Sequence, residues 1–309
     1  MKPIELGEVL GGFQGAAGLS TPPGSAPHER PGADALNALA GKPVSRVMIV
    51  AAHPDDETIG AGAQLASWPN LTVVHATNGS PRDPRFAAGA GFPDRESYAA
   101  ARNAEAVRAL KLANVAAQQI VHLGFDDQDA ARSLVEMTGA LARLIVELRP
   151  NAIVTHPYEG GHPDHDSVCF AVHFACRRLR LSNAAYPAIV EMTSYFGRNG
   201  ERIVSRFLQD SGGAIEIALS QDDRQRKLAM YRCFASQNAL LAQFPVAVEC
   251  FRIAPHYDFR RKPHAGRLFY DDYQLGVDSD TWLALADEAM SALLRTEAPL
   301  IPAAGADAD

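Results

Sequence analysis

The sequence predicts an α/β fold, Rossmann-like, with a mostly parallel sheet, helices on both faces and a smaller C-terminal lobe. Three observations carry this. Between residues 45 and 183, short apolar runs alternate with helix-length stretches, the pattern of βαβ units. The first run, Arg46–Ala52 (RVMIVAA), is apolar without alternation, as in a strand buried on both faces. The chain has 309 residues, 47% hydrophobic and 21% charged, enough for one large domain with a full core.

Residues 1–44 are rich in Gly, Pro and Ala, with Pro22-Pro23-Gly24 and Pro31-Gly32 as breakers. They read as an N-terminal extension carrying a short helix at Ala33–Ala40. The core, 45–183, opens with the Arg46–Ala52 strand and a helix over Glu57–Trp68. A strand at Leu71–Thr77, a Gly/Pro-rich loop at Ser80–Asp94 and a helix at Arg95–Leu112 follow. Then come a strand at Gln119–Leu123, a helix at Ala130–Leu148, a strand at Ala152–Thr155 and a helix at Pro163–Leu181. Residues 184–309 change pattern, with strands at Ala188–Phe196 and Ala214–Leu219 and helices at Gln221–Leu241 and Ser279–Arg295. This part is expected to complete a substrate pocket over the sheet.

Composition excludes several classes. The net charge is -7 and no long Lys/Arg run exists, so nucleic acid is not the expected partner. Arg260-Arg261-Lys262 reads as a solvated turn. None of Cys169, Cys176, Cys233 and Cys250 forms a CxxC pair, which argues against a cysteine zinc cluster. They read as small core residues in a reducing, cytoplasmic setting. The N-terminus carries Lys2, Pro3, Glu5 and Glu8 where a signal peptide has an apolar run, and no stretch is long and apolar enough for a bilayer span. Homo-oligomerisation stays open.

Two segments carry chemistry, and both follow strands, where open parallel sheets bind ligands. In Ala52-His53-Pro54-Asp55-Asp56-Glu57, Pro54 biases His53 towards an extended shape, so His53 and Asp56 can converge from a tight turn. Histidine nitrogen and carboxylate oxygen are normal zinc ligands. Asp55 is the candidate general base, since a carboxylate beside an activated water can take its proton. Glu57 either meets the helix dipole or orients a ligand. In Gly160-Gly161-His162-Pro163-Asp164-His165-Asp166, Pro163 suits the first helical position and both acids suit the first turn. His162 and His165 lie near one face; one can bind metal and the other can face substrate. Three protein ligands and an open position make a catalytic zinc site.

AHPDDE after the first strand and GHPDH after a later one resemble the PIG-L/LmbE-like zinc-dependent N-acetylglucosaminyl deacetylases, over roughly Arg46 to Leu181. A weaker match continues at Lys227 and Phe234-Ala235-Ser236-Gln237. The resemblance implies His53, Asp56 and His165 as zinc ligands and Asp55 as general base. It implies His162 as oxyanion stabiliser or proton donor to the leaving amine, with Asp164 orienting His162 or the site. Arg102 and Glu105 match an RxxE stretch whose Arg reaches substrate; they also fit a surface ion pair. Asp127 in LGFDD falls at a sugar-hydroxyl position, or caps a turn. Tyr158 is the nearest match to a tyrosine that sits beside GHPDH in the mycothiol-type enzymes.

The implied activity is metal-assisted removal of an acetyl group from a small N-acetylated, glycosidic substrate. Other divalent metals also suit His/Asp sites. The alternatives are an amidase for larger conjugates, or a non-catalytic metal- or nucleotide-binding module. Gly60-Ala61-Gly62 superficially resembles GxGxxG, but Leu65 breaks it and the glycines sit inside a helix pattern, where they serve helix–sheet packing. His75, His122 and His173 read as packing residues, His156 as a residue beside the ligands, and His256 and His264 as lining of the pocket.

Overall fold

The structure is a computed structural model that describes residues 31–181, 186–198, 201–208, 213–273 and 275–295. The chain runs α1 (Pro31–Ala40), β1 (Val47–Ala51), α2 (Asp56–Ala61), β2 (Thr72–Pro81), α3 (Pro84–Gly89), α4 (Arg95–Leu112), β3 (Ile120–Asp127), α5 (Leu134–Leu148), β4 (Ala152–Thr155) and α6 (Pro163–Leu181). It continues β5 (Ala188–Met192), β6 (Tyr195–Arg198), β7 (Glu201–Val204), β8 (Ile215–Ala218), α7 (Gln221–Tyr231), α8 (Asn238–Leu241), β9 (Val248–Ile253), α9 (Phe269–Tyr273) and α10 (Ser279–Arg295).

Seven strands form one sheet in the order β3-β2-β1-β4-β5-β9-β8. β1 pairs in parallel with β2 (Met48 with Thr72) and with β4 (Val47 with Ala152). β9 pairs antiparallel with β5 and β8. The unbroken apolar run of β1 has a physical reason: Val47 and Ile49 enter one core while Met48 and Val50 enter the other. Because β2 and β4 lie on opposite sides of β1, the crossovers diverge there and leave a crevice at the carboxyl ends of β1 and β4.

The C-terminal part is joined more closely than a separate lobe: β5, β9 and β8 extend the central sheet. The β6–β7 pair stands apart as a two-stranded sheet, and α10 packs its Trp282 with Phe170, Phe259 and Tyr158 into a third core. α1 contains the predicted Ala33–Ala40 helix and buries Ala35 and Leu36 against the main core, while residues 1–30 of the predicted extension lie outside the described residues. Among the described residues, no helix is long and apolar enough to cross a membrane. All four cysteines are free thiols.

Two departures from the sequence expectation share one cause, tertiary partners replacing helical hydrogen bonds, and a third has another. The helix expected over Glu57–Trp68 stops at Ala61. Lys227 Nζ takes the Ile59 carbonyl at 2.8 Å, and the Ala63 N–H goes to Glu249 at 3.0 Å. The helix expected over Gln221–Leu241 ends at Tyr231, and Glu105 captures the Ser236 N–H at 3.0 Å and its hydroxyl at 2.6 Å. β9 escaped sequence reading because Glu249 and Arg252 interrupt its apolar letters. Both are buried in ion pairs, with Lys227 (2.5 Å) and Glu191 (2.7 Å) respectively.

The Lys227–Glu249 pair carries a stability prediction. Both groups are buried, so removing one leaves an uncompensated charge in the core. Lys227→Ala is expected to cost about 3–5 kcal/mol, whereas replacing the pair together with apolar residues of similar volume costs far less. Denaturant titration of the single and double variants checks this; equal losses would overturn it.

Candidate active site

The crevice between β1 and β4 receives both His/Asp segments. Residues 52–55 link β1 to α2, and residues 156–162 link β4 to α6. His53 Nδ1 lies 3.2 Å from Asp56 Oδ2, and His165 Nε2 lies 3.2 Å from Asp56 Oδ1. Ligand atoms of His53, Asp56 and His165 all fall within 4.8 Å of one another. Zinc bonds of about 2.0–2.1 Å in a tetrahedron imply ligand–ligand edges of about 3.3 Å, so the donor set fits such an ion.

The electrostatics agree. Burial works against the Asp56 charge, but His165 and His156 overcome it and hold the carboxyl well below its usual range. Burial pushes His165 down to about 4, leaving a neutral imidazole. Burial would also lower His53, yet the carboxylates of Asp127, Asp164 and Asp56 raise it well above its usual value. A proton held there is one that metal binding displaces.

His53 Nε2 faces away from Asp56, 3.1 Å from Asp164 and 3.3 Å from Asp127. Asp164 is fixed in turn by the backbone N–H groups of Gln128 (2.7 Å) and Ala130 (3.2 Å). Of the two roles expected for Asp164, orienting His162 or the site, its carboxylate fits the second, through His53. Its carboxylate is 3.9 Å from His162 Nδ1, and it is the Asp164 backbone N–H that donates to that nitrogen, at 3.1 Å. That bond leaves the proton on Nε2, and burial lowers His162 to about 3, so its ring is a neutral donor. Carboxylates that orient metal-binding histidines typically contribute 10–100-fold in metal affinity. Asp164→Ala is expected to weaken metal binding by about that factor, measured by competition with a chelating dye; an unchanged affinity would refute the assignment.

Asp55 lies beside the ligands. Its Oδ2 accepts from Arg102 Nη2 at 2.8 Å, and its N–H donates to Glu57 Oε2 at 3.2 Å. Burial raises Asp55 to about 7 against the pull of Arg102. Glu57 accepts from His75 Nε2 at 3.0 Å, so it fixes the Asp55 backbone besides starting α2. Arg102 is buried and clamps this turn, reaching the Gly79 carbonyl at 2.6 Å. Gly79 sits at φ +66°, where a Cβ would come within 2.8 Å of the guanidinium. The surface ion pair with Glu105 is thus not formed; Glu105 is the buried acceptor of Ser236. Gln237 donates to the Tyr98 hydroxyl at 2.6 Å. The Arg102/Glu105 stretch and Phe234–Gln237 are two sides of one clamp between α4 and the C-terminal part.

Around these groups lies a cavity of about 200 Å³, lined by His53, Asp55, Asp56, Asp127, His162 and His165 on the metal side. Asp127 is held at about 2: burial opposes its charge, and His53 and His162 favour it. The outer wall is aromatic, with Phe86, Tyr98, Tyr195, Phe244, Phe269 and Tyr273. Tyr158 is not part of it, which corrects the expectation. It lies on the side of α6 that faces α10, its ring tilted against Trp282 and its hydroxyl donating to the Arg261 carbonyl at 3.0 Å. Tyr195 of β6 lines the pocket instead, its ring 5.4 Å from that of His165. Nothing in the sequence around Tyr195, Arg202 or Phe269 marks them; only topology brings them here.

His156 stacks on the His165 ring at 4.0 Å and accepts the Ala52 N–H at 3.0 Å, beside His53, Asp56 and His165. His75 and His122 stack inside the sheet, and His173 packs on Tyr257. His256 and His264 do not line this cavity; His256 borders a separate groove beside Ile189 and Ile253. A Cβ on Gly60 would strike Met192 Sδ at 2.6 Å, so this glycine serves helix–sheet packing.

Residues 48–176 match the family described as PIG-L, GlcNAc-PI de-N-acetylase. The chain is similar to 1D-myo-inositol 2-acetamido-2-deoxy-alpha-D-glucopyranoside deacetylase 2 of Catenulispora acidiphila, 33% identical over 153 residues, 41% of this chain and 50% of that one. The corresponding deacetylase of Salinispora arenicola is 31% identical over 146 residues, 40% of this chain and 47% of its own. The match thus spans about half the length of these relatives. The fold resembles an antimicrobial pseudoaglycone deacetylase (TM-score 0.52, 19% identity, 69% of this chain and 99% of that one). It also resembles N,N'-diacetylchitobiose deacetylase from Pyrococcus horikoshii (TM-score 0.50, 18% identity, 75% of this chain and 95% of that one).

Proposed function

Residues 48–176 form a PIG-L family domain, and on that premise we propose that the chain is a zinc-dependent hydrolase that removes an acetyl group from an N-acetylated sugar or related N-acyl substrate. The observation that carries this reading is the convergence of Asp55 and His162 on the cavity that His53, Asp56 and His165 line. Asp55 belongs to none of the groups of described residues that could hold an ion, which disfavours a non-catalytic metal site. The relatives named above supply the substrate class.

His53, Asp56 and His165 would hold the zinc ion, which would supply a Lewis acid for the amide carbonyl and lower the pKa of a water from 15.7 to about 7. Asp55, raised to about 7 and oriented by Arg102, accepts the proton of the attacking water. His162 donates its Nε2–H to the developing oxyanion. Asp55 then gives that proton to the leaving amine, and His162 stays neutral. Asp164 and Asp127 keep His53 in place throughout.

The test is acetate release from N-acetylglucosamine and its inositol glycoside. Chelator-treated protein is expected to be inactive and to regain activity with zinc. Full turnover in protein shown by elemental analysis to hold no metal would sink the proposal.

A further inference from the structure

The cavity contains two cations, Arg102 and Arg202, and they are not equivalent. Arg102 is committed to Asp55 and to the Gly79 carbonyl. Arg202 of β7 donates Nη1 to the Gln243 side chain at 2.8 Å and faces no carboxylate within ion-pair distance among the described residues. Its guanidinium sits in the corner of two nearly perpendicular rings, 5.0 Å from the centroid of Tyr195 and 4.8 Å from that of Phe269. These contacts restrain a long side chain that would otherwise be mobile, and a preorganised planar fork matches a carboxylate. The carboxylates that line the cavity are already taken: Asp55 by Arg102, Asp56 by His53 and His165, Asp127 by His53. Tyr195 touches both Arg202 and His165, so this guanidinium, without a carboxylate partner among the described residues, is one aromatic ring away from His165.

We propose that Arg202 is a specificity-determining residue that binds a carboxylate on the substrate, so that the preferred substrate is an anionic N-acylated molecule whose body stacks on the aromatic wall. This rests on the deacetylase reading above. The acyl amide lies at His53, Asp56 and His165, the body against Tyr195 and Phe269, and the carboxylate at Arg202. One charge-assisted hydrogen bond of this kind is worth about tenfold or more in affinity.

Two sugars that differ by a carboxylate test it: N-acetylmuramic acid, which bears a lactyl ether, and N-acetylglucosamine, which lacks it. With the zinc-loaded full chain, kcat/KM for the acid is expected to exceed that for the neutral sugar by about tenfold, chiefly through KM. Arg202→Gln brings the ratio close to one, Arg202→Lys restores part of it, and added salt narrows it in the unaltered protein. A ratio near one in the unaltered protein, or a ratio that Arg202→Gln leaves intact, overturns the inference. If neither sugar is hydrolysed, the deacetylase reading is decided by its own test with the inositol glycoside, and calorimetric titration of the same two sugars decides about Arg202. Tighter binding of the acid that Arg202→Gln abolishes supports it; equal dissociation constants refute it.

Discussion

Asp55→Ala is expected to lower kcat/KM for amide hydrolysis by about a hundredfold to ten-thousandfold, the usual worth of a general base, while metal content stays at the unaltered level. The division follows from geometry. Asp55 Oδ2 is bound to Arg102, and Asp55 is not in the proposed donor set of His53, Asp56 and His165. Removing the Asp55 carboxyl takes nothing from that set. It does leave Arg102 buried without its nearest anion, although the Gly79 and Pro54 carbonyls and Asp127 at 3.6 Å still face it. A loss of activity in the alanine variant could therefore mix catalysis with a shifted turn. Asp55→Asn separates the two, because the carboxamide keeps an oxygen for Arg102 but cannot accept the water's proton. Both variants are expected to bind zinc and lose turnover. Turnover within tenfold of normal in Asp55→Asn would remove Asp55 from the role.

What the sequence revealed and what it concealed divide along a physical line. Local chain chemistry was legible: β1 reads as a strand buried on both faces because the six apolar letters from Val47 to Ala52 leave no polar side, and α6 begins at Pro163 because a proline loses nothing there. His53, Asp56 and His165 were legible because both segments follow parallel strands, whose carboxyl ends meet at the switch between β2 and β4. Partnerships across the fold were not legible. Arg102 looked like one half of an i,i+3 pair with Glu105, yet each finds its partner far along the chain, at Asp55 and at Ser236. Tyr158 was named because it lies near GHPDH in sequence, but the turn at residues 159–161 sends it to the aromatic core. Tyr195, thirty residues after His165, takes the place beside that histidine because β6 leaves the sheet after Met192 and returns over the crevice. Spacing along the chain predicts neighbours only while the chain stays in one element.

The Asp56 carboxylate touches both His53 and His165, so its removal gives the second large effect. Its Oδ2 accepts the His53 backbone N–H at 2.8 Å and lies 3.2 Å from His53 Nδ1; its Oδ1 lies 3.2 Å from His165 Nε2. Asp56→Asn keeps the shape but replaces an anion by a carboxamide, a poor zinc ligand. Metal affinity is expected to fall well beyond the 10–100-fold of a carboxylate that only orients a ligand, as Asp164 does. The consequence for stability is a linkage effect. An ion that binds only the folded chain adds about 4.1 kcal/mol at a free concentration 1,000-fold above its dissociation constant. For a domain of this size that corresponds to a rise in Tm on the order of 10 °C. The unaltered protein is expected to show this rise on zinc addition and Asp56→Asn to show little of it. Because the readout is the shift between zinc-free and zinc-loaded samples of each protein, any change the substitution makes to the metal-free fold cancels. A zinc-dependent rise in Asp56→Asn equal to that of the unaltered protein would mean that the ion binds elsewhere, and with it the roles of His53 and His165 as ligands would fall.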